Sequence, residues 1–203
     1  MVNLLISLTV AYLIGSIPTS FIFTKILKKT DIRKHGSGNV GATNVFRVVG
    51  KIPAVAVLLL DIFKGVVCVA FLSDIFFNNT IGVILGPELY KILLGTCAIF
   101  GHVWSIFLRF TGGKGVATAA GVLIALAPNV LIASAILWII VFFMFRIVSV
   151  ASIASAVFLP IFAIIFNRPI SLVIFTALLC IMGTYKHKAN IKRLIRGEEK
   201  RLF

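Results

Sequence analysis

Long apolar runs recur along this chain with only short polar interruptions, and the bilayer sets their meaning. A span of the hydrocarbon core needs about 20 predominantly apolar residues. Leu4–Phe23, Pro53–Leu72, Tyr90–Leu108, Ile147–Phe166 and Ile170–Tyr185 each approach that length. Val116–Phe145 exceeds it: as one helix it would measure about 45 Å, against a core of about 30 Å. Pro128-Asn129, a turn signal, stands near its middle, so it reads as two short spans. The expectation is an all-α polytopic membrane protein of about seven transmembrane helices. Composition excludes the alternative of a soluble domain, because 60% of residues are hydrophobic and 13% charged, where a soluble chain is about a quarter charged.

Charge sets the expected orientation. No basic residue precedes the first run, while Lys25, Lys28 and Lys29 follow it. A secretory signal has the opposite order, so this segment reads as a retained span with its N-terminus outside. Seven spans then place seventeen of the twenty Lys and Arg residues in the cytoplasm, leaving Lys91 and Arg168 outside and Lys64 within a span. Six spans would put the basic C-terminal segment on the wrong side. The net charge of +14 lies in short loops between spans, which fits anionic lipid head groups and gives no reason to expect nucleic acid. Residues 1–203 read as a single integral-membrane domain. Cys68, Cys97 and Cys180 are scattered in apolar runs without ligand spacing, so they read as packing residues, with no disulfide framework or metal site implied.

Three polar clusters interrupt the hydrocarbon-loving sequence, and seven spans put all three on the cytoplasmic face. In the first, His35–Arg47, Gly36, Gly38 and Gly41 permit positive φ and close approach of backbone to ligand. Ser37 or Asn39 is placed to cap a helix that would carry Thr43 and Arg47 on one face. Such a segment also suits an ordinary glycine-rich loop. In the second, Thr111-Gly-Gly-Lys-Gly115 leads directly into a span, setting backbone amides and the Lys114 ammonium at a helix N-terminus. A nucleotide P-loop would need glycine at Leu108 and Ser or Thr at Gly115, so this is a different anion site or a tight turn with a snorkelling lysine. His102, taken alone, reads as a hydrogen-bonded structural histidine.

In the third cluster, His187 and Asn190 stand at i, i+3 and share one helical face. Lys192, Arg193 and Arg196 read as a lipid-surface patch. Ser149 and Ser152 open another span, as capping or packing hydroxyls or as substrate contacts. Asp61 and Lys64, at i, i+3 inside a span, would each cost about 2.5–3.5 kcal/mol alone, so they are expected to pair toward the bundle interior.

These pieces together resemble the bacterial acyl-phosphate:glycerol-3-phosphate acyltransferases, integral membrane enzymes of phospholipid synthesis. The resemblance rests on Tyr12-Leu-Ile-Gly-Ser-Ile-Pro18, Gly36-Ser-Gly-Asn-Val-Gly-Ala-Thr-Asn44 with Arg47, and Asp61-Ile-Phe-Lys-Gly65. It continues through Gly101-His102, Phe110–Thr118 and His187–Leu194 with Gly197 and Glu199, covering essentially the whole chain in order. Val40, Ser105 and Thr111 depart from residues common in that family. The resemblance implies transfer of an acyl group from acyl phosphate to the 1-hydroxyl of glycerol 3-phosphate, with no cofactor, at the cytoplasmic face of the bacterial cell membrane. It associates Ser37, Thr43, Arg47, Lys114, Ser152, His187 and Asn190 with the active site. Arg47, Lys114 and the amides of Gly112, Gly113 and Gly115 are expected to bind phosphate. Gly38, Asn39, Thr43 and Ser152 would contact substrate, and Ser37, His187 and Asn190 would orient the reacting groups. An acyl phosphate is already activated, so positioning and charge stabilisation suffice without a covalent acyl-enzyme. Either His187 or the acceptor's own phosphate serves as base.

Two other classes compete. A transporter of a phosphorylated solute would use broken spans with helix ends aimed at an anion, but its site would lie near the midplane. A metal-dependent phosphotransferase would need an acidic cluster, which six Asp and Glu residues outside the three motifs do not supply. The His-x-x-x-x-Asp signature of acyl-CoA acyltransferases is also absent: Val40, Phe107 and Lys192 stand five residues after the three histidines.

Overall fold

A computed structural model describes residues 1–202, the side chains of Asn79 and Thr80 excepted. Every regular element among them is helical. Contacts divide the chain into two compact units, Met1–Leu126 and Ala127–Phe203.

In the first unit, α1 (Val2–Ser16) and α2 (Thr19–Lys28) are one apolar run broken at Ile17-Pro18. Proline removes an amide and pushes its predecessor out of the helical region, and Ile17 is extended at φ −55°, ψ 116°. The span expected over Leu4–Phe23 is present within the apolar segment Val2–Lys28, built from two helices on either side of this break. A basic loop leads to the short α3 (Ala42–Val48), followed by α4 (Lys51–Val66), which continues through a π-helical turn into α5 (Leu72–Phe76). Next comes α6 (Asn79–Val103), which bends at Gly86 (φ +69°) ahead of Pro87. The glycine loop then enters α7 (Val116–Leu126).

Small residues allow these helices to touch backbone to backbone, as membrane helices must when lipid is as apolar as their side chains. A Cβ on Gly101 would stand 2.2 Å from Tyr12 O, joining α6 to α1, and one on Gly121 would stand 1.9 Å from Ile62 O, joining α7 to α4. Near the polar loops a second mechanism operates. Ile32, Val40, Val45, Val57 and Leu108 form a buried cluster that pulls the first loop, α3, α4 and the approach to the second loop together. Away from lipid, each such side chain contributes about 1.5–3 kcal/mol on burial.

The second unit contains α8 (Pro128–Phe145), α9 (Val148–Ile165), α10 (Ile170–Lys186) and α11 (Lys188–Ile195). The break expected at Pro128 is present, with Ala127 non-helical at φ −154°, ψ 70° and proline opening α8. Stacked Trp138 and Phe142, with ring centroids 5.0 Å apart, stiffen α8.

Among the described residues, five helical segments are long and apolar enough to cross a membrane, and there are six if α10 and α11, bent by 57°, count as one broken span. The remaining expected span, α7, has only 11 residues, about 16 Å of helix. Many large side chains on these segments are exposed, including Leu59, Phe63, Ile139 and Phe143. That exposure is the pattern of a lipid-facing surface. The three cysteines are free, and Cys68 is buried in packing.

Candidate active site

The first polar cluster owes its shape to one buried side chain. Asn44, 1% exposed, lies at the start of α3 and points back into the loop. Its Oδ1 accepts the Ser37 amide at 2.9 Å, while its Nδ2 lies 3.0 Å from the carbonyls of His35 and Asn39 and 3.3 Å from that of Ile32. The loop wraps this carboxamide by way of positive φ at Gly36 (+61°) and Gly38 (+70°). At Gly36 the space matters as well, since a Cβ would meet Asn44 Oδ1 at 2.2 Å. Gly41, in contrast, is extended at φ −160° and itself caps α3. Neither Ser37 nor Asn39 caps that helix as expected, because Asn44 engages the Ser37 amide and the Asn39 carbonyl. The Ser37 and Arg47 side chains are exposed, and Thr43, four residues before Arg47 on α3, is half-buried.

The second cluster docks against the first. Arg33 donates to both oxygens of Asp31 and reaches Thr111 Oγ1 at 3.5 Å. Those hydrogen bonds hold the Asp31 carboxyl at about 2, well below its ordinary range. A Cβ on Gly113 would stand 2.5 Å from Val40 O and 2.2 Å from His102 Nε2, so this stretch has no room for a side chain. The Gly113 amide donates to His102 O at 3.1 Å. That amide therefore holds the loop to α6. Gly115 turns the chain at φ +84° into α7, with the half-buried Lys114 just before it.

Behind this loop lie the charges expected to pair. Lys64 Nζ meets Asp61 Oδ1 at 2.7 Å, both nearly inaccessible, and reaches His102 Nδ1 at 2.9 Å. His102 is thus a hydrogen-bonded histidine of the interior.

In the second unit, α10 ends at Lys186 and His187 occupies the bend before α11, so His187 and Asn190 do not share one continuous helix. Both side chains are buried. His187 Nδ1 donates to Gly183 O at 2.7 Å. A carbonyl accepts only, so the neutral ring has its proton on Nδ1 and its basic lone pair on Nε2. Asn190 Nδ2 donates to Glu199 Oε1 at 2.6 Å, Ser149 Oγ donates to the same oxygen at 2.9 Å, and Arg193 Nε holds Oε2 at 2.5 Å. Arg193 therefore turns toward Glu199 and leaves the outer basic patch to Lys192 and Arg196, which are exposed. Burial pushes the Glu199 carboxyl up, and these hydrogen bonds outweigh it and leave it below its ordinary value. Ser152 Oγ accepts the Trp138 indole N–H at 3.1 Å.

Residues 5–197 match the profile of the glycerol-3-phosphate acyltransferase family. The chain belongs to that family.

Among its relatives, glycerol-3-phosphate acyltransferase 2 of Moorella thermoacetica is 45% identical over 98% of this chain and 97% of its own length. The glycerol-3-phosphate acyltransferase of Desulforamulus reducens is 42% identical over 93% and 90%. The fold matches the crystal structure of PlsY (YgiH), an integral membrane glycerol 3-phosphate acyltransferase, in its glycerol 3-phosphate form, with a TM-score of 0.86 and 35% identity over 98% of this chain and 94% of that one. The lysophosphatidic acid form of PlsY matches with a TM-score of 0.83 and 34% identity, at the same coverage. This chain is accordingly a multi-pass membrane acyltransferase.

Sequence spacing does not mark Asn44 and Glu199 as organising residues, although both stand in the segments that carry the family resemblance. The signal was present, since each is a polar side chain within a short, otherwise basic or glycine-rich segment. Their partners are largely backbone groups or residues on other helices, and spacing alone does not identify those.

Proposed function

We propose that this enzyme transfers a fatty acyl group from acyl phosphate to the 1-hydroxyl of glycerol 3-phosphate, giving 1-acylglycerol 3-phosphate (lysophosphatidic acid) and inorganic phosphate. The observation that carries this reading is the docking of two glycine-rich loops, each with a cation beside it, in one unit of a membrane protein of this family. Both substrates carry a phosphate, and the acyl tail of the donor belongs in lipid. One relative of similar fold, PlsY, has both a glycerol 3-phosphate form and a lysophosphatidic acid form.

Arg47, Lys114 and the loop amides around Gly112 and Gly115 hold phosphate oxygens by charge-assisted hydrogen bonds. Gly38, Asn39, Thr43 and Ser152 line the substrates, and Ser37, His187 and Asn190 orient the acceptor hydroxyl and the acyl carbonyl. The hydroxyl oxygen attacks the carbonyl carbon, the bond from that carbon to the phosphate oxygen breaks, and the phosphate leaves with the electron pair. The hydroxyl proton passes to a base. His187 Nε2 is the protein atom suited to take it, and the acceptor's own phosphate is the other candidate. Since the donor is activated, positioning and charge stabilisation account for the acceleration.

We read residues 1–203 as one acyltransferase domain in the bacterial cell membrane, with seven spans, the N-terminus outside and the site facing the cytoplasm. The asymmetry of Lys and Arg supports that orientation. The deciding experiment supplies purified protein with glycerol 3-phosphate and either palmitoyl phosphate or palmitoyl-CoA. Product is expected with the acyl phosphate alone, without added metal. A strict requirement for CoA or Mg²⁺ overturns the proposal.

A further inference from the structure

None of the steps above uses the buried charges of the first unit. Asp61 and Lys64 are 1% and 6% exposed and sit one helical turn apart on α4. A pair of this kind is often no more stabilising than well-packed apolar residues of the same size, so its location asks for another reason. Lys64 has three hydrogens to donate, and three acceptors surround it: Asp61 Oδ1 at 2.7 Å, His102 Nδ1 at 2.9 Å and Ile17 O at 3.3 Å. Thr19 Oγ1, in the first turn of α2, donates to Asp61 Oδ1 at 2.8 Å. The pair thereby ties together the break in the first span, α4 and the C-terminal end of α6.

The ammonium offers only hydrogens, so His102 Nδ1 is the acceptor and the neutral ring carries its proton on Nε2. That nitrogen faces the second glycine loop, where it would lie 2.2 Å from a Cβ on Gly113. The carbonyl of the same histidine accepts the Gly113 amide at 3.1 Å. One residue therefore supports the loop with both its ring and its backbone, and the ring is set by Lys64.

We propose that Asp61 and Lys64 are positioning residues for substrate phosphate. They fix the tautomer and orientation of His102, and His102 fixes the backbone of Gly112–Gly115. This rests on the reading of that loop as a phosphate site, and it assigns to the loop the phosphate of glycerol 3-phosphate.

The test is a kinetic split. A neutral double variant, Asp61→Asn with Lys64→Met, removes the lysine's hold on His102 without stranding a single buried charge. Loss of about one to two hydrogen bonds' worth of loop order raises KM for glycerol 3-phosphate about fivefold or more. On the same reasoning kcat and KM for acyl phosphate stay within about twofold. A second variant, His102→Asn, keeps an acceptor where Nδ1 stands and removes the group facing Gly113. It gives the same split and decides the matter should the double variant fail to fold. Lys114→Ala is measured beside them. If Lys114→Ala raises KM for glycerol 3-phosphate while His102→Asn leaves it at the wild-type value, the positioning role is overturned and the loop assignment stands. If Lys114→Ala itself leaves that KM unchanged, the loop assignment falls and the positioning role falls with it.

Discussion

Glu199 Oε1 accepts Asn190 Nδ2 at 2.6 Å and so fastens the C-terminal segment back onto α11. Ser149 and Arg193 converge on the same carboxylate. Removing it leaves three donors short of an acceptor, and hydrogen bonds to a charged group contribute about 1.5–3 kcal/mol each. Glu199→Ala is expected to lower the unfolding temperature in detergent by several degrees and to abolish activity through Asn190. Glu199→Gln, which still accepts through one oxygen, should lose less. An unchanged melting temperature in Glu199→Ala would show that this junction does not hold the segment.

The same carboxylate makes stability depend on pH in a defined direction. Burial raises its pKa, the bonds from Arg193, Asn190 and Ser149 lower it further than that, and the folded value ends below the ordinary 4.5. The unfolded chain therefore binds a proton first as acid is added. The stabilisation is complete above the unfolded pKa and disappears as pH falls through the folded one. Asp31, held at about 2 by Arg33, adds a loss in the same direction that extends lower. Melting curves from pH 7 to pH 3 should show a decline in wild type that is shallower in Glu199→Gln. Parallel curves would exclude Glu199 as a source.

Asn44 is expected to matter through loop shape. Its carboxamide presents an acceptor to the Ser37 amide and a donor to two carbonyls at 3.0 Å. Asn44→Asp exchanges that donor for an acceptor aimed at carbonyl oxygens, so it should impair activity at least as much as Asn44→Ala, by about tenfold or more at 1.4 kcal/mol per decade. Helical content by circular dichroism should be retained, because the defect is confined to one loop. Greater activity in Asn44→Asp than in Asn44→Ala would contradict the geometry.

Helical architecture, the break at Pro128 and the pairing of Asp61 with Lys64 were legible because each follows from a local rule: hydrocarbon length, proline chemistry and the cost of a lone charge. Pro18 obeys the second of these rules as plainly as Pro128 does, and it breaks the helix while leaving Val2–Lys28 a single apolar segment long enough to span. The bend at His187 has no proline or glycine to announce it. Asn44 and Glu199 organise their surroundings through partners chosen by the path of the chain, such as the carbonyl of Ile32 or the hydroxyl of Ser149. Spacing identifies candidates for a site more readily than it identifies what holds that site in place.

Variants of Lys114 and Lys192 test the proposed phosphate binding against general surface charge. Lys114 is half-buried beside the turn into α7, whereas Lys192 is exposed on α11. Deleting charge-assisted hydrogen bonds worth roughly 1.5–3 kcal/mol should make Lys114→Ala at least about tenfold less active at limiting glycerol 3-phosphate. Protein abundance should be normal. Lys192→Ala should lose far less. Equal losses would assign both lysines to the membrane surface.

Topology turns on α7. Its 11 residues cover about 16 Å as helix, little more than half of a core about 30 Å thick. Crossing there requires the glycine loop before it to dip toward the core, which its backbone contacts with His102 and Val40 favour by drawing Gly112 and Gly113 against the end of α6. If α7 crosses, parity places Thr111 and Arg196 on the same side of the membrane and Asn167 on the other. Cysteines introduced singly at Lys28, Thr111 and Arg196, in a background lacking Cys68, Cys97 and Cys180, should react with an impermeant thiol reagent only from the cytoplasmic side. A cysteine at Asn167 should react from outside, as should one near Asn79, whose side chain lies outside the described residues. Labelling of Thr111 and Arg196 from opposite sides would mean that α7 returns to the face it entered from. The seven-span arrangement would then give way to six.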